Sequence, residues 1–216
     1  MELTKEQIQH IESYLASKDF DYIDLKPEIL DHMISDVEQF MDKNNTFEDA
    51  FARVRIRWEK HFRETSSFFF GMLYANSKIV VNKAVKQFKK YYVLYLASYF
   101  SPFVFLKFVP ITFSETTVNF TNGFLFSFSL AMLGYMAFII IKTSFSKVKT
   151  TYHFILKTQY FGLILLVMGL AVGIFKDTGE LNPVFTGFVC GGYAVVFICH
   201  HFYKKHEEAI EKYKIV

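Results

Sequence analysis

The residues best suited to chemistry are Glu28, His32 and Asp36, spaced four apart so that a helix aligns them in one row. Two carboxylates flanking an imidazole favour its charged form, giving either a pH-sensitive patch or part of a divalent-metal site. The row falls opposite the apolar stripe of its helix, where a solvated polar face with helical ion pairs is the simpler outcome. A second group is His200, His201 and His206, with His153 in a loop on the same side and Glu207 and Glu208 following. These ligand types suit zinc or another transition metal. No HxxxH pair or nearby cysteine organises them, so an interfacial helix end is expected and no metal or cofactor is assigned.

The remaining chemistry is sparse. Arg53, Arg55, Arg57 and Arg63 are all the arginines of the chain. Asp49 and Glu59 can pair with them at helical spacing, and their surroundings are acidic, so nucleic acid is not an expected partner. Cys190 and Cys199 fall on opposite faces of one apolar run, which leaves no disulfide framework and no CxxC site. With no Gly-rich phosphate loop, nucleophile elbow, HExxH or kinase signature, the chain reads as something other than an enzyme.

The elements that carry these residues follow from composition. The chain has 216 residues, 52% hydrophobic and 19% aromatic, which excludes intrinsic disorder. Residues 1–63 hold 9 Lys or Arg and 14 Asp or Glu, net −5, whereas residues 64–216 hold 15 and 7, net +8. Only Glu64, Glu115, Asp177 and Glu180 are acidic between positions 64 and 206, a scarcity that argues against a purely soluble protein. The N-terminus is charged and has no apolar h-region, so no cleavable secretion signal is expected.

Four uncharged stretches, 91–106, 116–141, 158–175 and 181–203, approach or exceed the roughly 20 residues that cross a hydrocarbon core. The first needs extension to 113 through Lys107, a snorkelling anchor, with kinks at Pro102 and Pro110. Thirteen lysines lie before the first stretch, between the second and third, and in the tail; one or two lie in the opposite loops. The positive-inside rule then puts both termini in the cytosol. Small residues at four-residue spacing, Ser127 and Ala131, Gly169 and Gly173, Gly187 and Gly191, predict close helix packing or homodimerisation. Apart from Lys107 the stretches carry no charge, which argues against a self-sufficient pump.

In the N-terminal third, Thr4 and Gln7 form a capping-box pattern ahead of Ile8, Ile11 and Leu15. An Asp-rich linker, 18–24, follows. Pro27 opens a second helix with Leu30, Met33, Ile34, Val37, Phe40 and Met41 on one side. After Asn44-Asn45, Thr46 caps a third, buried through Phe47, Ala50, Phe51, Val54, Trp58 and Phe62. Ile56 faces away from that core, beside Arg53. The run Leu25-Lys26-Pro27-Glu28-Ile29-Leu30-Asp31-His32, with Thr46-Phe47-Glu48-Asp49-Ala50-Phe51, resembles the HAAS domain, a small helical cytosolic module ahead of membrane helices in bacterial proteins. The resemblance covers about residues 4–62. Asn44-Asn45 replaces the usual Gly at the turn, and no Gly-Pro pair closes the third helix. The family is associated with signalling, often alongside PadR-like transcription regulators, and the resemblance implies a protein-docking module.

Residues 66–90 contain five lysines and no acid, with Phe70, Leu73, Tyr74, Val80, Val81, Ala84, Val85 and Phe88 near one helical direction. They read as a basic amphipathic helix that either packs on the rest of the protein or lies in an anionic lipid surface.

The expected architecture is all-α: an acidic cytosolic three-helix domain (1–63), a basic juxtamembrane helix (64–90), a four-helix transmembrane bundle (91–203) and a cytosolic tail (204–216). The expected function is an accessory or sensory protein of the cytoplasmic membrane, docking a cytosolic or membrane-embedded protein. The alternative is a non-catalytic subunit of a transport or export assembly. Expected partner contacts are Glu28, His32, Asp36, Arg53 and Ile56; expected membrane-surface residues are Lys78, Lys83, Lys86, Lys89 and Lys90. Reporter fusions should place both termini in the cytosol, and cysteine labelling should find the 142–157 loop there too; either result reversed refutes the topology.

Overall fold

Thr4 opens α1 (Lys5–Ser17) with a complete capping box: its hydroxyl accepts the Gln7 N–H at 3.3 Å, and its own N–H donates to Gln7 Oε1 at 2.9 Å. Pro27 lies in the first turn of α2 (Lys26–Met41), where no intrahelical donor is lost. Thr46 caps α3 (Phe47–Phe62) by accepting the Asp49 N–H at 3.2 Å. This is a computed structural model, and it describes residues 2–42 and 45–214. Asn44 of the expected Asn44-Asn45 turn lies outside the described residues, as do the last two positions of the expected tail.

These helices bury Ile11, Tyr14 and Leu15 of α1, Ile29, Met33 and Val37 of α2, and Phe47, Ala50, Phe51 and Val54 of α3. Trp58 differs from expectation. It is half-buried, and its indole N–H donates to Asp36 Oδ2 at 2.8 Å. An indole needs a polar partner, and the one available lies at the domain's edge. The segment expected as a polar linker is also partly core, since Phe20 and Tyr22 are buried, as is Leu25 at the start of α2.

The expected helix over 64–90 is two things. Residues Glu64–Ser67 (β1) and Gly71–Ser77 (β2) form an antiparallel hairpin, and only from Lys78 does a helix, α4 (Lys78–Phe108), begin. The Phe70 N–H donates to the Ser67 carbonyl at 3.0 Å, and Gly71 follows at φ 82°, a conformation that interrupts a helix and costs glycine little. Apolar spacing over so few residues does not distinguish helix from hairpin.

The fold is otherwise helical, with α5 (Glu115–Ser144), α6 (Thr151–Gln159), α7 (Gly162–Val172) and α8 (Pro183–Lys214). Three helices are long and apolar enough to cross a membrane: Glu115–Ser144, Thr151–Val172 (α6 with α7) and Pro183–Tyr213. The helix α4 is not among them, its apolar half being diluted by Tyr91, Tyr92, Tyr95, Tyr99 and Lys107. It continues through Pro102 and stops two residues short of Pro110. The loop expected over 142–157 is shorter: Lys142 belongs to α5, and His153 and Lys157 belong to α6.

The chain forms two compact units. The first gathers Met1–Lys86, Lys147–Phe154 and His206–Val216; the second gathers Gln87–Ser146 and Ile155–Lys205. The N-terminal helices are therefore completed by distant chain. The Ile23 N–H donates to the Lys149 carbonyl at 3.1 Å, Asp24 Oδ1 accepts the Thr151 N–H at 2.9 Å, and the Phe70 ring meets Phe154 edge-on at 5.4 Å.

In the second unit, Met136 and Ile139 of α5 cluster with Leu156, Leu163, Val195, Val196 and Cys199. A Cβ on Gly192 would sit 2.5 Å from Leu166 Cβ, and one on Gly187 would sit 2.6 Å from the Tyr99 carbonyl oxygen. Of the small residues at four-residue spacing, Gly169, Gly187 and Gly191 thus serve internal packing. Gly173 instead ends α7 at φ 86°, while Ser127 and Ala131 of α5 are exposed. The outer face of α5 is rich in phenylalanine, with Phe120, Phe124, Phe126 and Phe138 exposed.

Trp58 is the chain's single tryptophan and reports on the α2–α3 contact through Asp36. Met33, fully buried, should cost about 2–5 kcal/mol when replaced by Ala. Denaturant unfolding followed by Trp58 emission should give a lower midpoint and an unfolding free energy smaller by that amount; an unchanged midpoint would show that Met33 is not core.

Candidate functional site

The row Glu28, His32 and Asp36 does form on α2, but its ends are tied inward. Glu28 Oε2 accepts from Lys83 Nζ at 2.5 Å, and this hydrogen bond holds its carboxyl below the usual range against a smaller opposing effect of burial. Asp36 accepts from Arg57 Nη1 at 3.3 Å as well as from the Trp58 indole. His32 between them stays exposed. Glu28 and Asp36 therefore serve the unit's own assembly first, a role that sequence spacing does not reveal because all three donors come from other elements.

The face that stays open is on α3. Ile56 is 78% exposed, and Arg53 beside it is exposed too. Ile56 lies in an open hollow of about 450 Å³ lined also by Ala52, Arg55, Glu59 and Arg63. These residues repeat at three and four along the helix and so share one side of it. Arg55, Glu59 and Arg63 escaped the sequence reading as site residues, although their spacing from Ile56 marks them as its neighbours.

The hollow has a fixed lining. The Arg55 guanidinium lies 5.1 Å from the centre of the Tyr14 ring and 5.8 Å from that of Phe51, within cation–π range. Glu59 accepts from Lys18 Nζ at 2.9 Å and from the Tyr14 hydroxyl at 3.2 Å. The Lys18 hydrogen bond holds the Glu59 carboxyl below its ordinary value. Burial, then the Glu59 charge, pushes the Tyr14 phenol up to about 12, so it remains a donor at any physiological pH. With Glu59 neutralised by Lys18, the hollow offers an apolar patch, Ile56 with Ala52, beside two guanidinium groups. It can receive an apolar residue flanked by carboxylates; it places no nucleophile against a base.

The histidines separate into different surroundings. In the first unit, His153 and His206 are both buried with ring centroids 5.0 Å apart, and Thr150 Oγ1 lies 2.9 Å from His206 Nδ1. In the second unit, the Tyr135 hydroxyl meets His200 Nδ1 at 2.5 Å and the Tyr91 hydroxyl meets His201 Nε2 at 2.8 Å. Among the described residues no group of three or more His, Cys, Asp or Glu is placed to hold a metal ion. His153, expected in a loop, is in the first turn of α6.

The expected membrane-surface lysines all lie on α4. Lys78, Lys86, Lys89 and Lys90 are exposed, and Lys83 is half-buried against Glu28. Comparison with known proteins found no family, no curated protein and no solved structure that matches the chain.

The ion pair Lys83–Glu28 is exposed, so Glu28→Gln should cost no more than about 1 kcal/mol. Because the folded-state carboxyl is depressed, that contribution is full above the unfolded value, about 4.3, and fades as pH falls through the folded one. Unfolding midpoints of wild type and variant should differ near neutrality and converge near pH ~3; a difference that persists in acid would exclude the ionised pair as its source.

Proposed function

We propose that the chain is an accessory or sensory protein of the cytoplasmic membrane, whose N-terminal helical unit docks a protein partner through the outer face of α3. The carrying observation is Ile56, 78% exposed at the centre of a hollow rimmed by Arg55 and Arg63. Isolated exposed aliphatics are ordinary on folded surfaces. An aliphatic between oriented arginines on an otherwise acidic domain has the composition of a small interface: an apolar centre, a charged rim and an arginine already held in place. Arg53 extends the exposed face of α3, His32 is exposed on α2, and the resemblance to a docking module supports this use.

In this reading the three long apolar helices cross the membrane, and the apolar half of α4 supplies a fourth crossing. Lys107 then snorkels at its end. The thirteen lysines on one side of the resulting topology support cytosolic termini. The exposed phenylalanines of α5 supply the lipid-facing surface that such a bundle needs.

A second reading, a subunit of a transport or export assembly, is favoured by one observation. Ser127 and Ala131 lie exposed on α5, and a Cβ on Gly123 or Gly134 would meet nothing within 4 Å, so small residues there are available to another helix, including one from a second copy.

Affinity recovery from native membranes in gentle detergent separates the two. Ile56→Asp should abolish recovery of a soluble partner while leaving membrane insertion and Trp58 emission unchanged. Recovery of a polytopic partner that survives Ile56→Asp but is lost with Ala131→Ile would establish the second reading instead.

A further inference from the structure

The β1–β2 hairpin carries the most exposed large apolar side chains of the first unit. Leu73 is 95% exposed, Met72 89% and Phe68 85%. Hairpin tips are usually polar, and contiguous exposed apolar side chains mark a site of contact. The hairpin itself is firmly mounted. Glu64 pairs with Ser77 at its base, the Lys78 N–H donates to the Arg63 carbonyl at 2.9 Å, and Asn76 Nδ2 donates to the Tyr22 hydroxyl at 2.7 Å. Phe70, 6% exposed, turns inward to the Phe154 ring. The hairpin is thus fixed to the protein through its base and Phe70, while Phe68 in its turn and Met72 and Leu73, which alternate to opposite faces of β2, stand exposed around its tip.

Its location bears on what surrounds the tip. Phe154 belongs to the first turn of Thr151–Val172, a helix long and apolar enough to cross a membrane. Its 22 residues span about 33 Å at 1.5 Å per residue, close to the thickness of a hydrocarbon core, so its first turn lies at a bilayer boundary. The Phe70–Phe154 contact sets the hairpin at that level. The charge around it agrees. No acidic residue occurs between Glu64 and Glu115, and Lys78 and Lys86 of the adjoining α4 are exposed. Apolar side chains at the tip of a hairpin that runs directly into a lysine-bearing helix match an anionic lipid surface, acyl chains below and phosphates above.

We propose that the β1–β2 hairpin is an interfacial anchor, inserting Phe68, Met72 and Leu73 into the acyl boundary of an anionic membrane while the lysines of α4 meet the headgroups. The inference rests on the reading that Thr151–Val172 crosses the bilayer.

The test uses the full chain reconstituted in vesicles of phosphatidylcholine and phosphatidylglycerol. Trp58 supplies the parent signal, and Leu73→Trp adds a reporter at the tip. Lipids brominated just below the headgroup should quench the added emission about twofold, because interfacial apolar groups lie about 5–10 Å into the boundary, and should leave the parent signal unchanged. Ile56→Trp, on the exposed face of α3, should resemble the parent. Flotation of the chain with vesicles but no quenching of Leu73→Trp overturns the anchor. So does a blue-shifted but unquenched emission, which would place the tip against protein or a second copy. Equal quenching of Ile56→Trp and Leu73→Trp also overturns it, since the hairpin then has no special place. Failure of the parent chain to float removes the membrane reading and the anchor with it.

Discussion

The first unit depends on how the start of α6 is satisfied. The opening amides of a helix have no partner within it. At α6 they are buried, where an unsatisfied donor costs about 1–3 kcal/mol. Thr150, with no exposed surface, accepts the His153 N–H on its hydroxyl at 3.0 Å, and Asp24 reaches from the far end of the sequence to accept the Thr151 N–H. The same threonine hydroxyl lies against His206 of α8. One buried helix start therefore joins the 18–24 segment, the 147–154 segment and the last turns of the chain. The parallel pairing of Tyr22 with Lys149 and the ion pair between Lys149 and Asp19 at 3.5 Å reinforce the same junction.

That junction explains why a domain of three short helices is not left to its own small core. Alone, a domain the size of residues 1–63 buries only a limited fraction of its surface, and small domains are marginal for that reason. Tyr22 meets the added chain at Lys149 while Phe20 packs on Phe62 of α3 at 5.5 Å, and burial pushes the Tyr22 phenol up to about 12 even though the Asn76 amide opposes the shift. The hairpin mount at Asn76 and the inward Phe70 belong to the same packing.

The second unit obeys a different constraint. Its helices are apolar nearly all round, so burial of apolar surface does not decide which faces meet. Close approach at glycines decides instead: Gly187 admits the Tyr99 backbone, Gly191 the Tyr99 ring and Gly192 the Leu166 side chain. Hydrogen bonds between hydroxyls then fix the register, Ser129 with Tyr193 at 2.7 Å and Thr143 with Tyr160 at 3.2 Å.

Much was legible in the sequence where the cause is local. Thr4, Pro27 and Thr46 start helices by bonds or torsions spanning a few residues, and the outward position of Ile56 follows from the 3.6-residue period of α3. The long apolar runs are equally local, being a matter of length and composition. Tertiary structure alone decided what rests on partners far along the chain. Glu28 and Asp36 look like surface acids until Lys83, Arg57 and Trp58 arrive, and the 18–24 segment looks like a polar linker until 147–154 packs on it. His153 and His206 are 53 positions apart, yet α6 and α8 bring their rings together. The hairpin at 64–77 lies between the two cases: Gly71 is visible in the sequence, but its left-handed conformation follows from the turn that lets Phe70 reach Phe154. Spacing reports which residues share a face; only packing chooses what that face meets.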